Sequence, residues 1–252
     1  MKDPIERFSD RVENYEKYRP SYPTQVIETL RTILNLHRDS VVADIASGTG
    51  IFSKLLLECG FKVLAVEPNE KMRLSAEKAL AGNPLFVSVI GEAEKTNLED
   101  SSVDLITCAQ AFHWFRRTET RKEFKRILKP EGAVALIWNQ RKTDSPFMQA
   151  YEIFVRKHAP EYTSVNHTNI EKPTIIDFLG AKGYKTFSFE NSQRLNREGI
   201  IGRTLSTSYI PGPDQPGHIE MMKDLSDLFT KFEENGIVNF DYDCYLYLGT
   251  MS

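Results

Sequence analysis

Between residues 23 and 138 the spacing of apolar residues switches repeatedly between a helical and a strand-like rhythm, and a chain with that pattern folds as alternating helices and strands. Pro23 opens a helix whose Val26, Leu30, Ile33 and Leu34 share one face, and Val41-Val42-Ala43-Asp44-Ile45 reads as a buried strand. The turn Ala46-Ser47-Gly48-Thr49-Gly50 leads into a second helix carrying Phe52, Leu55 and Leu56, which Gly60 stops. Strands follow at Lys62 to Val66, Leu85 to Ile90 and Val103 to Cys108, with a helix from Lys71 to Leu80 between the first two. A basic amphipathic helix then ends at Lys129-Pro130-Glu131-Gly132. The next segment, Ala133 to Trp138, is almost wholly apolar, as in a strand covered on both faces. Strands separated by helices imply a parallel α/β sheet.

Beyond Trp138 the pattern loosens. Phe147, Tyr151, Phe154 and Val155 mark one helix, and Ile219, Met222, Leu225, Leu228, Phe229 and Phe232 mark another. The Pro- and Gly-rich segment 211–217 between them is a loop. Lys185 to Glu190 and Tyr242 to Leu248 read as an antiparallel pair that finishes the sheet. The expected fold class is α/β with three layers: a mostly parallel seven-stranded sheet with an antiparallel C-terminal strand, and helices on both faces.

Composition narrows the partners. The 252 residues carry a net charge of −3 with mixed signs, so the chain offers no field for a polyanion. Its densest basic region, Arg116-Arg117, Arg121-Lys122 and Lys125-Arg126, surrounds Phe124, Ile127 and Leu128 as the solvated face of a helix does. No nucleic-acid partner is expected. Cys59, Cys108 and Cys244 are scattered without a C-x-x-C pair, so neither a disulfide framework nor a metal site is expected. No apolar run reaches membrane-spanning length, and the charged start Met1 to Arg7 lacks the apolar core of a secretory signal. The expectation is a cytoplasmic protein with no membrane partner; oligomeric state leaves no signature.

Open α/β sheets bind ligands where the first strand turns into its helix, here at Asp44 and the glycine turn. Gly48-Thr49-Gly50-Ile51-Phe52-Ser53 lacks the third small residue of a dinucleotide fingerprint, and no Gly-Lys-Ser/Thr follows to cradle a triphosphate. Glu67 ends the second strand, where a carboxylate suits the two hydroxyls of a ribose, and Glu92 follows the third.

Asp44-Ile45-Ala46-Ser47-Gly48-Thr49-Gly50 resembles the first-strand motif of class I S-adenosylmethionine-dependent methyltransferases, departing from it at Ala46, where the family usually has glycine. The resemblance covers residues 40 to 140 and makes S-adenosylmethionine the expected cofactor. It implies that Asp44, Ala46, Ser47, Gly48 and Gly50 hold the methionine end, Glu67 the ribose, and Pro68, Met72, Glu92 and Ala93 the adenine. Acids at successive strand ends also suit a sulfonium cation.

Tyr15 to Pro23 and Gln110-Ala111-Phe112-His113-Trp114-Phe115 resemble a narrower group of small-molecule methyltransferases, the trans-aconitate methyltransferase-like proteins. There the N-terminal segment caps the cofactor, which places Tyr15 and Arg19 at the site. Arg19 is then a partner for the carboxylate of the cofactor or of the acceptor. His113 and Trp114 are expected on the acceptor side, His113 as general base for a hydroxyl or as an orienting group, and Gln110 as a contact to either ligand. A carboxylate acceptor needs no base, being ionised at neutral pH. Arg203 to Tyr209 resembles an acceptor lid, with Arg203, Ser206 and Tyr209 facing the substrate. The expected layout is an N-terminal cap (1–36), a cofactor core (37–140), an acceptor cap (141–220) and a final helix and strand (221–252). The expected reaction is methyl transfer to a small molecule at a carboxylate or hydroxyl oxygen. A nicotinamide-dependent oxidoreductase and a non-catalytic binding domain of the same fold are the alternatives.

Overall fold

A computed structural model describes residues 12–159, 162, 172–181 and 184–251. The segment Met1 to Arg7 and parts of the expected acceptor cap lie outside the described residues. The chain runs α1 (Val12–Tyr18), α2 (Thr24–Leu34), β1 (Val41–Ile45), α3 (Ile51–Glu58), β2 (Lys62–Val66), α4 (Glu70–Leu80), β3 (Phe86–Val89) and β4 (Val103–Ala109). A 3-10 turn (Phe112–Trp114), α5 (Arg117–Ile127), β5 (Leu128–Arg141), α6 (Pro146–His158) and α7 (Lys172–Leu179) follow. The chain then forms β6 (Lys185–Leu195), α8 (Arg197–Leu205), α9 (His218–Phe232) and β7 (Val238–Gly249). The strands make one seven-stranded sheet in the order β3-β2-β1-β4-β5-β7-β6. β1 to β5 are mutually parallel, and β7 runs antiparallel to both of its neighbours. This is the Rossmann-like arrangement expected from the strand and helix pattern.

Strand alternation divides the core between the two faces. Val42 of β1 and Ala133, Ala135 and Ile137 of β5 pack with α2 and α3 residues such as Leu30, Phe52 and Leu56. Their neighbours Ala43, Ile45, Val134, Leu136 and Trp138 pack on the other face with Phe124 and Ile127 of α5 and Phe178 of α7. A separate apolar cluster joins α6, α8 and α9 to Leu195 of β6 and Phe240 and Tyr242 of β7. It forms a helical cap over the far halves of the last two strands.

Several boundaries differ from the sequence pattern: β5, β6 and β7 all run longer than expected. The basic helix stops at Ile127, because Leu128 is already extended (φ −68°, ψ 137°), and Lys129-Pro130-Glu131-Gly132 forms an irregularity inside β5. The register jumps there, with Val103 opposite Leu128 and Leu105 opposite Ala133. α1, α7 and α8 are not announced by the apolar spacing, for α1 has no buried residue and the other two span only 8 and 9 residues.

Gly50 starts α3 at φ +82°, and a Cβ there would sit 2.9 Å from Leu80 Cδ1 and 3.2 Å from Ala76 Cβ. Its second role is therefore to let α4 close onto the turn. Gly50→Ala should lose about 1–3 kcal/mol of stability through left-handed strain and overpacking, measurable by urea denaturation.

Candidate active site

A continuous cleft opens at the carboxyl ends of β1, β2 and β4. It has two chambers that share Tyr15, Ala46, Gly48, Ala109, Gln110 and Trp114. The shared wall is built from the exits of β1 and β4, where Ala46 and Gln110 both have left-handed backbone, φ 54° and 61°. Such conformations cost a non-glycine residue about 1 kcal/mol or more and mark places where a site constrains the chain. Ala46, the departure from the family motif, thus occupies a position whose backbone favours glycine.

The first chamber is acidic and lined by Glu67, Pro68, Met72, Glu92, Ala93 and Glu94. The Glu67 carboxylate is 6% exposed and accepts hydrogen bonds from Gly48 N at 2.8 Å and Asn69 N at 2.8 Å. Burial raises its pKa to about 7, with those two amides pulling the other way. Asn69 caps α4 by accepting from Met72 N at 3.0 Å, which seats Met72 in the chamber. Arg116 also lines the chamber, 3.8 Å from Glu92 and from Glu94.

The second chamber is lined by Arg19, Asp44, Ser47, Thr49, His113, Asn139, Arg141, Arg203, Tyr209 and Tyr242, among others. Asp44 is turned inward. Its carboxylate accepts from Ser53 Oγ at 2.6 Å and Thr107 Oγ1 at 2.9 Å, and burial holds its pKa up at about 6 against those donors. This acid acts first as a tie between β1, α3 and β4. His113 stacks at an angle on Trp114, ring centroids 4.5 Å apart, on the 3-10 turn after β4.

Three arginines face this chamber. Arg141 pairs with Glu152 at 2.9 Å. Arg203, 4% exposed, donates from Nε to Tyr242 Oη at 2.9 Å, and its Nη1 is buried with no hydrogen-bond partner among the described residues. Arg19 donates from Nη2 to Ser206 O at 3.0 Å, lies over the Tyr15 ring at 4.8 Å, and leaves Nε buried without a partner among the described residues. Burial, and next the neighbouring Arg203 charge, push the Arg19 guanidinium below its usual pKa. Neither Arg19 nor Arg203 has a carboxylate hydrogen-bond or ion-pair partner among the described residues, and two such guanidiniums suit an anion.

Most residues singled out from the sequence line this cleft, but two do not. Gly50 packs against α4, and Ser206 is fully buried with its hydroxyl on Arg203 O at 2.7 Å, so only its carbonyl serves the site, through Arg19. The segment expected as a polar lid is the buried end of α8: Arg203, Thr204, Ser206 and Thr207 are all 4% exposed or less. Arg141 and Tyr242 were not foreseen. Arg141 could have been found by following β5 to its carboxyl end, whereas Tyr242 reaches the cleft only because β7 runs antiparallel.

The model of a methyltransferase domain matches residues 43–136. A Dictyostelium discoideum protein named as a methyltransferase is 32% identical over 190 residues, 75% of this chain and 68% of the relative. The chain belongs to the S-adenosylmethionine-dependent methyltransferase family. A Schizosaccharomyces pombe methyltransferase is 34% identical over 143 residues, and the match spans 56% of the length of each. A solved structure from Anaeromyxobacter dehalogenans, described as a type II methyltransferase, superposes with a TM-score of 0.68 at 20% identity, covering 93% of this chain and 98% of that one. The likeness shows a shared fold.

The acidic chamber suits the adenosine of the family's cofactor, since an ionised Glu67 can accept from paired hydroxyls while its amide bonds persist. Hydroxyl donors and a nearby cation favour the ionised acid, so binding lowers the pKa of Glu67 and affinity rises with pH through about 7. S-adenosylhomocysteine, titrated by calorimetry, should bind about tenfold more weakly at pH 6 than at pH 8. Glu67→Gln should flatten that dependence and weaken binding at pH 8.

Proposed function

We propose that this protein transfers a methyl group from S-adenosylmethionine to a carboxylate oxygen of a small anionic molecule. The observation that carries the reading is the pair of buried guanidiniums, Arg19 and Arg203, that line the second chamber, each with one buried nitrogen lacking a hydrogen-bond partner among the described residues. In this reading Glu67, Met72 and Ala93 hold the adenosine, and Arg19, beside the turn after β1, takes the cofactor's own carboxylate. Arg203 takes the acceptor, with Arg141 behind it. When bound, the cofactor supplies a methyl group on a sulfonium sulfur, and its displacement by a carboxylate neutralises both charges.

That loss of charge sets what the chain must do. A reaction whose charges cancel is accelerated by exclusion of water, so the residues have to align the reactants and keep the boundary between the chambers dry. Tyr15, Trp114 and Gln110 stand at that boundary. Gln110 is fixed by its Nε2 bond to Asn139 O at 3.0 Å. An ionised carboxylate requires no proton removal, so His113 orients the acceptor and is not a base. The presence of His113 in the chamber also sustains the rival reading, a hydroxyl acceptor whose proton His113 removes.

The two readings separate in one assay. The enzyme is incubated with methyl-labelled S-adenosylmethionine and a panel of small carboxylic and hydroxy acids, and the labelled product is treated with mild base. Methyl esters release labelled methanol and ethers do not; base-stable label would overturn the carboxylate reading. With the acceptor so identified, Arg203→Leu should raise its KM by about 10- to 100-fold, the worth of a charge-assisted hydrogen bond, while S-adenosylhomocysteine affinity stays within about twofold. At saturating S-adenosylmethionine, which removes the Glu67 dependence of binding, His113→Gln should leave the shape of the kcat–pH profile unchanged, and an acidic limb present in the wild type and lost in His113→Gln would restore the base.

A further inference from the structure

The two arginines sit on different elements, Arg19 just after α1 and Arg203 within α8, yet they are tied together crosswise. Arg19 donates to the carbonyl of Ser206 at the end of α8. In the other direction, Arg203 Nε donates to Tyr242 Oη at 2.9 Å, Tyr242 Oη donates to Gln193 Oε1 at 2.9 Å, and Gln193 Nε2 donates to Tyr18 O at 3.1 Å. Each group in that chain accepts from the one before and donates to the one after, so its polarity is fixed by chemistry. It ends on the peptide carbonyl immediately before Arg19.

α1 is the element that such a chain can move. It has 7 residues and buries none of them, too short a helix to hold its place by itself. Its position comes from tethers on both sides: Ser75 Oγ of α4 donates to Glu16 at 2.8 Å, while Lys17 and Tyr18 donate to Glu198 of α8 at 2.8 and 2.6 Å. The Tyr18 ring lies in a notch at Gly202, where any Cβ would overlap it. Tyr15 on the same helix lines both chambers.

We propose that α1, through Gln193 and Tyr242, couples the two halves of the cleft, so that an anion held by Arg203 seats α1 and tightens the grip on the cofactor. The proposal rests on the reading of the second chamber as an acceptor site. Gln193 does not line either chamber and acts as a positioning residue. An anion on Arg203 fixes the guanidinium and so the order of the chain; a disordered chain releases Tyr18 and with it Arg19 and Tyr15. Linkage makes the effect reciprocal: cofactor binding tightens the acceptor by the same factor.

The test measures S-adenosylhomocysteine affinity by calorimetry with the full chain, in citrate and in succinate, each against sodium chloride at equal ionic strength. The wild type should bind at least fivefold more tightly in one of the carboxylates. Gln193→Leu, which breaks the chain without touching either chamber, should keep the affinity in chloride within about twofold and lose the tightening; Gly202→Ala, which evicts Tyr18, should lose the tightening and also weaken binding in chloride. Circular dichroism melting confirms that both variants fold, and hydrogen exchange over residues 12–19 should show carboxylate-dependent protection in the wild type alone. Equal tightening in wild type and Gln193→Leu would overturn the chain's role, and no tightening in the wild type would overturn the coupling. Failure of the functional reading itself is seen separately, as absent S-adenosylhomocysteine binding or base-stable product.

Discussion

The buried carboxylate of Asp44 is the fixed point of the site. Only 1% exposed, it is held by one hydroxyl from α3 and one from β4, so the end of the first strand, the helix after it and the neighbouring strand are locked in one geometry. The turn from Ala46 to Gly50 is thereby presented with Gly48 N aimed at Glu67, and Glu67 is in turn held by Asn69 N at the start of α4. A chain of short polar contacts thus runs from the centre of the sheet to the floor of the first chamber. Burial raises the pKa of both acids, to about 6 for Asp44 and about 7 for Glu67, so positive charge brought close to them favours their ionised forms.

Polarity reverses across the cleft. Acids from the ends of β2 and of the segment after β3 gather on one side, and guanidiniums from the cap and the residues after α1 gather on the other. The reversal follows from architecture. The acids come from parallel strand ends fixed by local βα units, and the arginines from elements that arrive over the cleft from distant parts of the chain. Ala46 and Gln110, both with left-handed backbone, line both sides of that reversal.

The core was legible because its signals are local. Alternating periodicities over residues 23 to 138 specify strands and helices, and Asp44, Glu67 and Glu92 fall at strand ends that the topology must bring together, with Met72 in the first turn of α4. The second chamber was only half legible. Arg19, His113 and Arg203 were found by likeness to relatives, and Arg141 stands at the carboxyl end of β5, but Tyr242 depends on the register of β7 against β5, a pairing of residues about 100 positions apart that no short window encodes. The burial of Arg203, Thr204, Ser206 and Thr207, in the segment expected as an acceptor lid, was hidden for a related reason. A run of Thr and Ser looks solvated in sequence, but here the hydroxyls turn inward onto Arg203 O, Thr204 O and Tyr151 Oη.

The order of strands also sets an order of assembly. β7, the last strand in chain order, lies between β5 and β6, so β6 has no partner in the sheet until β7 has been inserted. The cap's apolar cluster takes Val238, Phe240 and Tyr242 from that same strand. The acidic half of the cleft is built from neighbouring βα units with local contacts, whereas the arginine-lined half needs β7, which arrives two helices after β6. The two sides of the cleft therefore differ in how much of the chain must be in place to build them, and the arginine-lined chamber is complete only with the last strand.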